Sequence, residues 1–99
     1  MVLETIQTNQ NKLENFCKSE GIIFMGVFGS VARKQENIDS DIDLYVKYKN
    51  KSEKSLLDIV RMENSLSKLF NKKVDLIHNP KPLVLNNINK DIICLYETV

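Results

Sequence analysis

The sequence predicts an α/β fold, a small sheet with helices packed against it, on three observations. Apolar runs at 22–28, 41–47 and 74–78 have the length of strands, and the second alternates strictly as Asp41, Ile42, Asp43, Leu44, Tyr45, Val46. Helical spacing of apolar residues occupies 3–19 and 52–70. Helices and strands therefore alternate along the chain, the pattern of a compact layered α/β architecture.

In the first helix Leu3, Ile6, Leu13, Phe16 and Cys17 form a rough stripe, the polar stretch Gln7 to Lys12 weakens it, and Gly21 is the expected stop. Strand one is Ile22 to Phe28. A short helix is expected from Ser30 to Gln35, then a turn through Glu36, Asn37, Ile38, Asp39 and Ser40. The long helix has Ser52 as its expected cap and Leu56, Ile59, Val60, Leu66, Leu69 and Phe70 on its stripe, with Glu63 interrupting it. Lys72 and Lys73 place cations near its negative pole. Strand three, Val74 to His78, ends at Asn79-Pro80-Lys81-Pro82, because proline lacks a donor and restricts its neighbour. A short helix from Leu83 to Asn89 and a strand or helical turn from Ile92 to Tyr96 complete the reading.

Ninety-nine residues are read as one domain, 1–99, burying about 65% of the surface its unfolded chain exposes. No room remains for a second substrate domain. Apolar content of 42% and charged content of 27% are ordinary for a globular chain. A net charge of +1 argues against a dedicated polyanion binder, so no direct nucleic-acid contact is expected. Cys17 and Cys94 are too few and too scattered for a disulfide framework or a metal knuckle. They read as reduced, semi-buried thiols. No leader or membrane span is evident, which gives a soluble, cytoplasmic expectation. The oligomeric state is not legible.

The chemistry concentrates between Gly29 and Asp43, GSVARKQENIDSDID. On a strand, residues two apart share a face about 6.6 Å apart. Asp41 and Asp43 therefore project together while Ile42, Leu44 and Val46 go to the core. Two adjacent carboxylates repel each other and resist desolvation unless a cation lies between them. Mg²⁺ suits the position, since it prefers carboxylate oxygen and shares its shell with substrate phosphates. Upstream, Gly29 lets the backbone approach a phosphate closely. Ser30 opens a helix whose free N–H groups attract anions, and service as a local cap is compatible with contact to a triphosphate.

This Gly-Ser, ten-residue spacer, Asp-x-Asp pattern resembles the DNA polymerase β-like nucleotidyltransferase superfamily. The flanks Val31-Ala32-Arg33 and Ser40-Asp41-Ile42-Asp43-Leu44 look most like its minimal nucleotidyltransferases. From average residue usage the match would arise by chance in roughly one chain per thousand of this length. The resemblance implies a mixed sheet and a third carboxylate on the strand after the long helix, where Asp75 stands. It further implies that Asp41, Asp43 and Asp75 hold Mg²⁺, two ions, and that the third carboxylate draws a proton from the attacking hydroxyl. ATP is the implied substrate. In the toxin–antitoxin families of this type the partner is a HEPN-family ribonuclease toxin, and its tyrosine is adenylylated. The toxin's own Arg-x4-6-His is absent here, so the chain would be the antitoxin half.

Arg33 has two equal readings, contact with phosphate or a brace to an aspartate such as Asp43. Asp39 is read as a turn residue and His78 as structural. Tyr45, Tyr48 and Tyr96 are read as amphipathic packing. Lys47, Lys49, Lys51 and Lys54 form a basic cluster, either a solvated loop or a rim for nucleotide or an acidic partner. Two other functions compete: neutralisation of a toxin by binding alone, and nucleotidyl transfer to a small molecule.

Overall fold

A computed structural model describes residues 2–35, 40–49 and 54–98. Its elements run α1 (Val2–Thr8), α2 (Gln10–Glu20), β1 (Ile22–Phe28), α3 (Gly29–Ala32), β2 (Ile42–Tyr48), α4 (Leu56–Phe70), β3 (Val74–His78), α5 (Pro82–Asp91) and β4 (Ile93–Glu97). The four strands form one sheet in the order β3-β2-β1-β4. β1 pairs antiparallel with β2 and with β4, while β2 and β3 run parallel. The sheet is thus mixed, and α4 makes the crossover that a parallel pair requires.

The expected first helix is two helices. Asn9 breaks it with φ −101° and ψ 22°. Its side-chain amide donates to the Thr5 carbonyl at 2.8 Å, and the Thr8 hydroxyl donates to the Glu4 carbonyl at 2.8 Å. Short polar side chains here compete with the backbone for its own partners. Gln10, in the same polar stretch, donates to the Leu95 carbonyl at 2.9 Å and so ties α2 to β4. Gly21 does end α2, in the left-handed conformation at φ 73° that suits glycine.

α4 is capped by Ser55. Its hydroxyl accepts from the Asp58 N–H at 3.1 Å, and the Ser55 N–H donates to the Asp58 carboxylate at 3.0 Å, a reciprocal capping box. The expected cap, Ser52, lies outside the described residues, as does the turn at 36–39. Ile59, Met62, Leu66 and Phe70 form the buried stripe. Leu56 and Val60, both expected on it, are exposed, as is Leu57, and Met62 takes a place on it that was not expected. At the helix end Asn71 takes the left-handed conformation at φ 53°.

The core joins this stripe to Met25 and Val27 of β1, Ile42, Leu44 and Val46 of β2, Val74 and Leu76 of β3, and Ile6, Leu13 and Cys17 of the first two helices. Burial raises the Cys17 thiol to about 12, with Glu14 adding to the shift, so it stays protonated. Cys94 is exposed on β4 rather than semi-buried, because that strand lies at the sheet edge. Arg61 of α4 grips Glu20 of α2 through two 2.9 Å hydrogen bonds, a fork-to-fork pair at the surface. Among the described residues no helix is long and apolar enough to cross a membrane.

The capping geometry makes Ser55→Ala a clean test of what starts α4. The substitution should lower stability by about 1 kcal/mol, read as a shift of the urea midpoint at unchanged slope.

Candidate active site

Three strands and one turn build the site. β1 ends at Phe28, whose register partner on β2 is Asp43. Asp43 in turn faces Asp75 across the parallel β2–β3 pair. One rung of the sheet therefore carries Phe28, Asp43 and Asp75 side by side. Ile42 and Leu44 are buried beside a half-buried Asp43, and Val74 and Leu76 are buried beside a half-buried Asp75. The alternation of a strand sends both carboxylates to one face.

Gly29 follows Phe28 directly and turns the chain at φ 75°. A Cβ on Gly29 would stand 2.6 Å from Asp43 Oδ2. The turn thus lies against the Asp43 carboxylate, in a conformation that favours glycine and where a Cβ would have to displace that carboxylate. Ser30 is the second residue of α3 and half-buried. α3 is shorter than expected, ending at Ala32, with the chain continuing in turns to Gln35.

Asp41 lies one residue before β2 rather than within it. It remains a neighbour of both other aspartates. Burial raises the Asp43 carboxyl above the ordinary carboxylate range, and the charges of Asp75 and Asp41 add to the shift, while Arg33 opposes it. Burial likewise raises Asp75, helped by the charge of Asp41, a hydrogen bond to it and the charge of Glu63, and opposed by Lys73. Lys73 also stands 3.8 Å from Asp41, but it is 71% exposed and solvent screens it. The result is an acidic cluster with incomplete compensation from the protein itself.

Arg33 braces. It donates to Asp91 of α5 at 3.1 Å and to Gln35 at 3.0 Å. Asp91, not Asp43, is its carboxylate partner, since α5 packs beside α3 and no sequence spacing reveals that. His78 is exposed, its ring edge-on to Tyr48 at 5.8 Å. Tyr45 is buried against Phe24 at 5.9 Å, and burial raises the Tyr48 phenol to about 12. Lys47 covers the Phe24 and Tyr45 rings at 5.2 and 5.8 Å, and Lys54 covers the Tyr48 ring at 5.6 Å, so two members of the basic cluster are engaged in packing. Lys51 and Asp39 lie outside the described residues.

Among the described residues no three His, Cys, Asp or Glu side chains form a ready metal-holding group. The donor chemistry nonetheless fits Mg²⁺ bound together with substrate. That ion takes one or two carboxylates and completes its shell with phosphate oxygens and water. Mutually repelling carboxylates with raised proton affinity are what a divalent cation relieves.

The polymerase β nucleotidyltransferase family model matches residues 11–98. A Methanocaldococcus jannaschii protein named "putative protein adenylyltransferase" is 35% identical over 93% of this chain and 92% of its own length. A solved "putative minimal nucleotidyltransferase" is 30% identical, superimposes with a TM-score of 0.77, and is matched over 94% of this chain and 95% of that one. A chain of the complex between tri-AMPylated Shewanella oneidensis HEPN toxin and MNT antitoxin shares the fold at 18% identity and a TM-score of 0.71, over 94% of this chain and 73% of that one. The chain belongs to the polymerase β-like nucleotidyltransferases, and it is a nucleotidyltransferase of the minimal type.

Two outcomes test this geometry. Gly29→Ala adds a left-handed alanine, costing about 1–2 kcal/mol, and it also displaces the Asp43 carboxylate. It should therefore lower the unfolding midpoint and abolish transfer together. Asp43→Asn should do the opposite to stability. The parent is free of a charging cost below the ordinary carboxylate range and incurs it as pH rises through the raised folded value. In metal-free buffer the variant should melt higher than the parent at pH 7, with the gap closing as pH falls through the carboxylate range.

Proposed function

We propose that this chain is a metal-dependent protein adenylyltransferase, transferring AMP from ATP to a tyrosine of a cognate HEPN-family ribonuclease toxin and so acting as its antitoxin. The observation that carries the reading is the rung on which Asp43 faces Asp75 beside the Gly29 turn. Support for the acceptor class comes from the adenylyltransferase relative and from the AMPylated toxin complex that shares the fold.

Asp41, Asp43 and Asp75 would hold Mg²⁺, and the bound ions supply charge neutralisation along the triphosphate and at the acceptor oxygen. Gly29 leaves its turn open to the phosphates, and Ser30 offers them its hydroxyl. The acceptor tyrosine oxygen attacks the α-phosphorus, the bond from that phosphorus to the β-bridging oxygen breaks, and pyrophosphate leaves. Asp75 takes the tyrosine proton, a role suited to a carboxylate whose proton affinity is already raised by burial and by Asp41. Arg33 keeps α3 seated against α5 through Asp91 and acts through that placement rather than on phosphate. Catalysis of this type rests on positioning and charge stabilisation, so a few side chains suffice.

The test is incorporation of label from α-labelled ATP into the co-expressed partner, with peptide mapping of the modified residue. Asp41→Asn with Asp43→Asn should cut incorporation by at least about 100-fold and remove protection from the toxin. Full protection by that double variant would instead establish neutralisation by binding alone.

A further inference from the structure

β3 is an edge strand, paired on one side only, with β2. In a parallel ladder alternate residues turn their amides away from the partner strand. The Ile42 N–H donates to the Lys73 carbonyl at 2.9 Å, which turns residues 73, 75 and 77 toward β2 and leaves the amides of 74 and 76 facing outward. Neither of these is left to solvent. The Val74 N–H donates to Ser67 Oγ at 2.9 Å, and the Leu76 N–H donates to Glu63 Oε2 at 2.8 Å.

Glu63 and Ser67 lie four residues apart on α4, one turn of helix, so they form one ridge along the strand edge. Asp75 sits between the two amides they hold. That carboxylate is pressed by Asp41 in a crowded acidic cluster, and the strand bearing it has backbone pairing on only one side. On its outer edge the backbone of this strand is held by the Ser67 and Glu63 side chains.

We propose that Glu63 and Ser67 are positioning residues for the transfer reaction: gripping the backbone on both sides of Asp75, they fix its carboxylate opposite Asp43. The inference rests on the assignment of Asp75 as a metal-holding and proton-accepting group. It goes beyond edge protection, which would need only that the amides be covered. The grip on the backbone asks position 63 for an acceptor oxygen, and the charge of Glu63 is the smallest of the causes that raise the proton affinity of Asp75. Glutamine should therefore replace glutamate there.

The experiment combines amide hydrogen exchange with a Mg²⁺ titration, followed by NMR in the presence of a non-hydrolysable ATP analogue, on the parent, Glu63→Ala/Ser67→Ala, Glu63→Gln and Asp75→Asn. In the double variant the Val74 and Leu76 amides should exchange at least about 10-fold faster. Half-saturation by Mg²⁺ should rise about 10-fold, the size expected when a group supporting a ligand is lost. Glu63→Gln should stay within about 3-fold of the parent, since it keeps the acceptor. In the Asp75→Asn background the same double substitution should change Mg²⁺ half-saturation by less than about 2-fold, because the residue it acts through is gone. Where the double variant does not fold, Ser67→Ala alone is compared in the two backgrounds.

Faster exchange with unchanged Mg²⁺ affinity would overturn the positioning role. So would an equal loss in the Asp75→Asn background, or a Glu63→Gln variant as impaired as the Glu63→Ala/Ser67→Ala double variant. A parent chain that takes up no Mg²⁺ with the analogue would refute the underlying site assignment instead, which keeps the two failures apart.

Discussion

Repulsion between carboxylates is the constraint on which this structure turns. Asp43 and Asp75 face each other on adjacent strands, with Asp41 beside them, and burial raises the proton affinity of both members of the facing pair. An arrangement of that kind works against folding, and the rest of the chain is built to hold it in place. The glycine turn seals one side, where any larger residue would meet Asp43. On the other side α4 secures the strand bearing Asp75. Repulsion of this kind is what a divalent cation relieves.

α4 serves the sheet in two ways along two of its faces. Ile59, Met62, Leu66 and Phe70 supply the apolar core. Glu63 and Ser67, on an adjoining ridge, supply acceptors to the outward amides of β3. The same helix reaches α2 through Arg61 and Glu20. An edge strand that would otherwise expose unpaired donors is thereby closed by side chains from its own crossover helix. A residue that interrupts an apolar stripe has here a defined partner in the backbone.

α3 is too short to be stable alone, since a single turn fixes many dihedrals for very few hydrogen bonds. It persists because both ends are held. Gly29 seats it against β2, Val31 is buried in the core, and Arg33 joins it to Asp91 of α5. The helix that follows β3 is in this way linked to the turn at the end of β1. The turn between β1 and β2 thus draws support from distant parts of the chain.

What the sequence determined by itself is what depends on neighbours in the chain. The periods of the three expected strands, the stop at Gly21, the Ile59, Leu66 and Phe70 part of the α4 stripe and the Gly-Ser to Asp-x-Asp spacing are all local, and the strands stand within a residue of where they were read. The facing of Asp75 and Asp43 followed only conditionally, from parity and the assumption that their strands adjoin. The remainder was decided by tertiary structure. Hydrogen bonding by Asn9 and Thr8 split the first helix, and the cap of α4 fell at Ser55. Arg33 found Asp91 across 58 positions of sequence, and Glu63 found an amide on another element. A polar side chain shows in the sequence that it needs a partner. Which partner it gets is fixed only when hydrophobic burial has set the elements side by side, because hydrogen bonds and ion pairs act over a few ångströms and the chain brings such groups together only on folding.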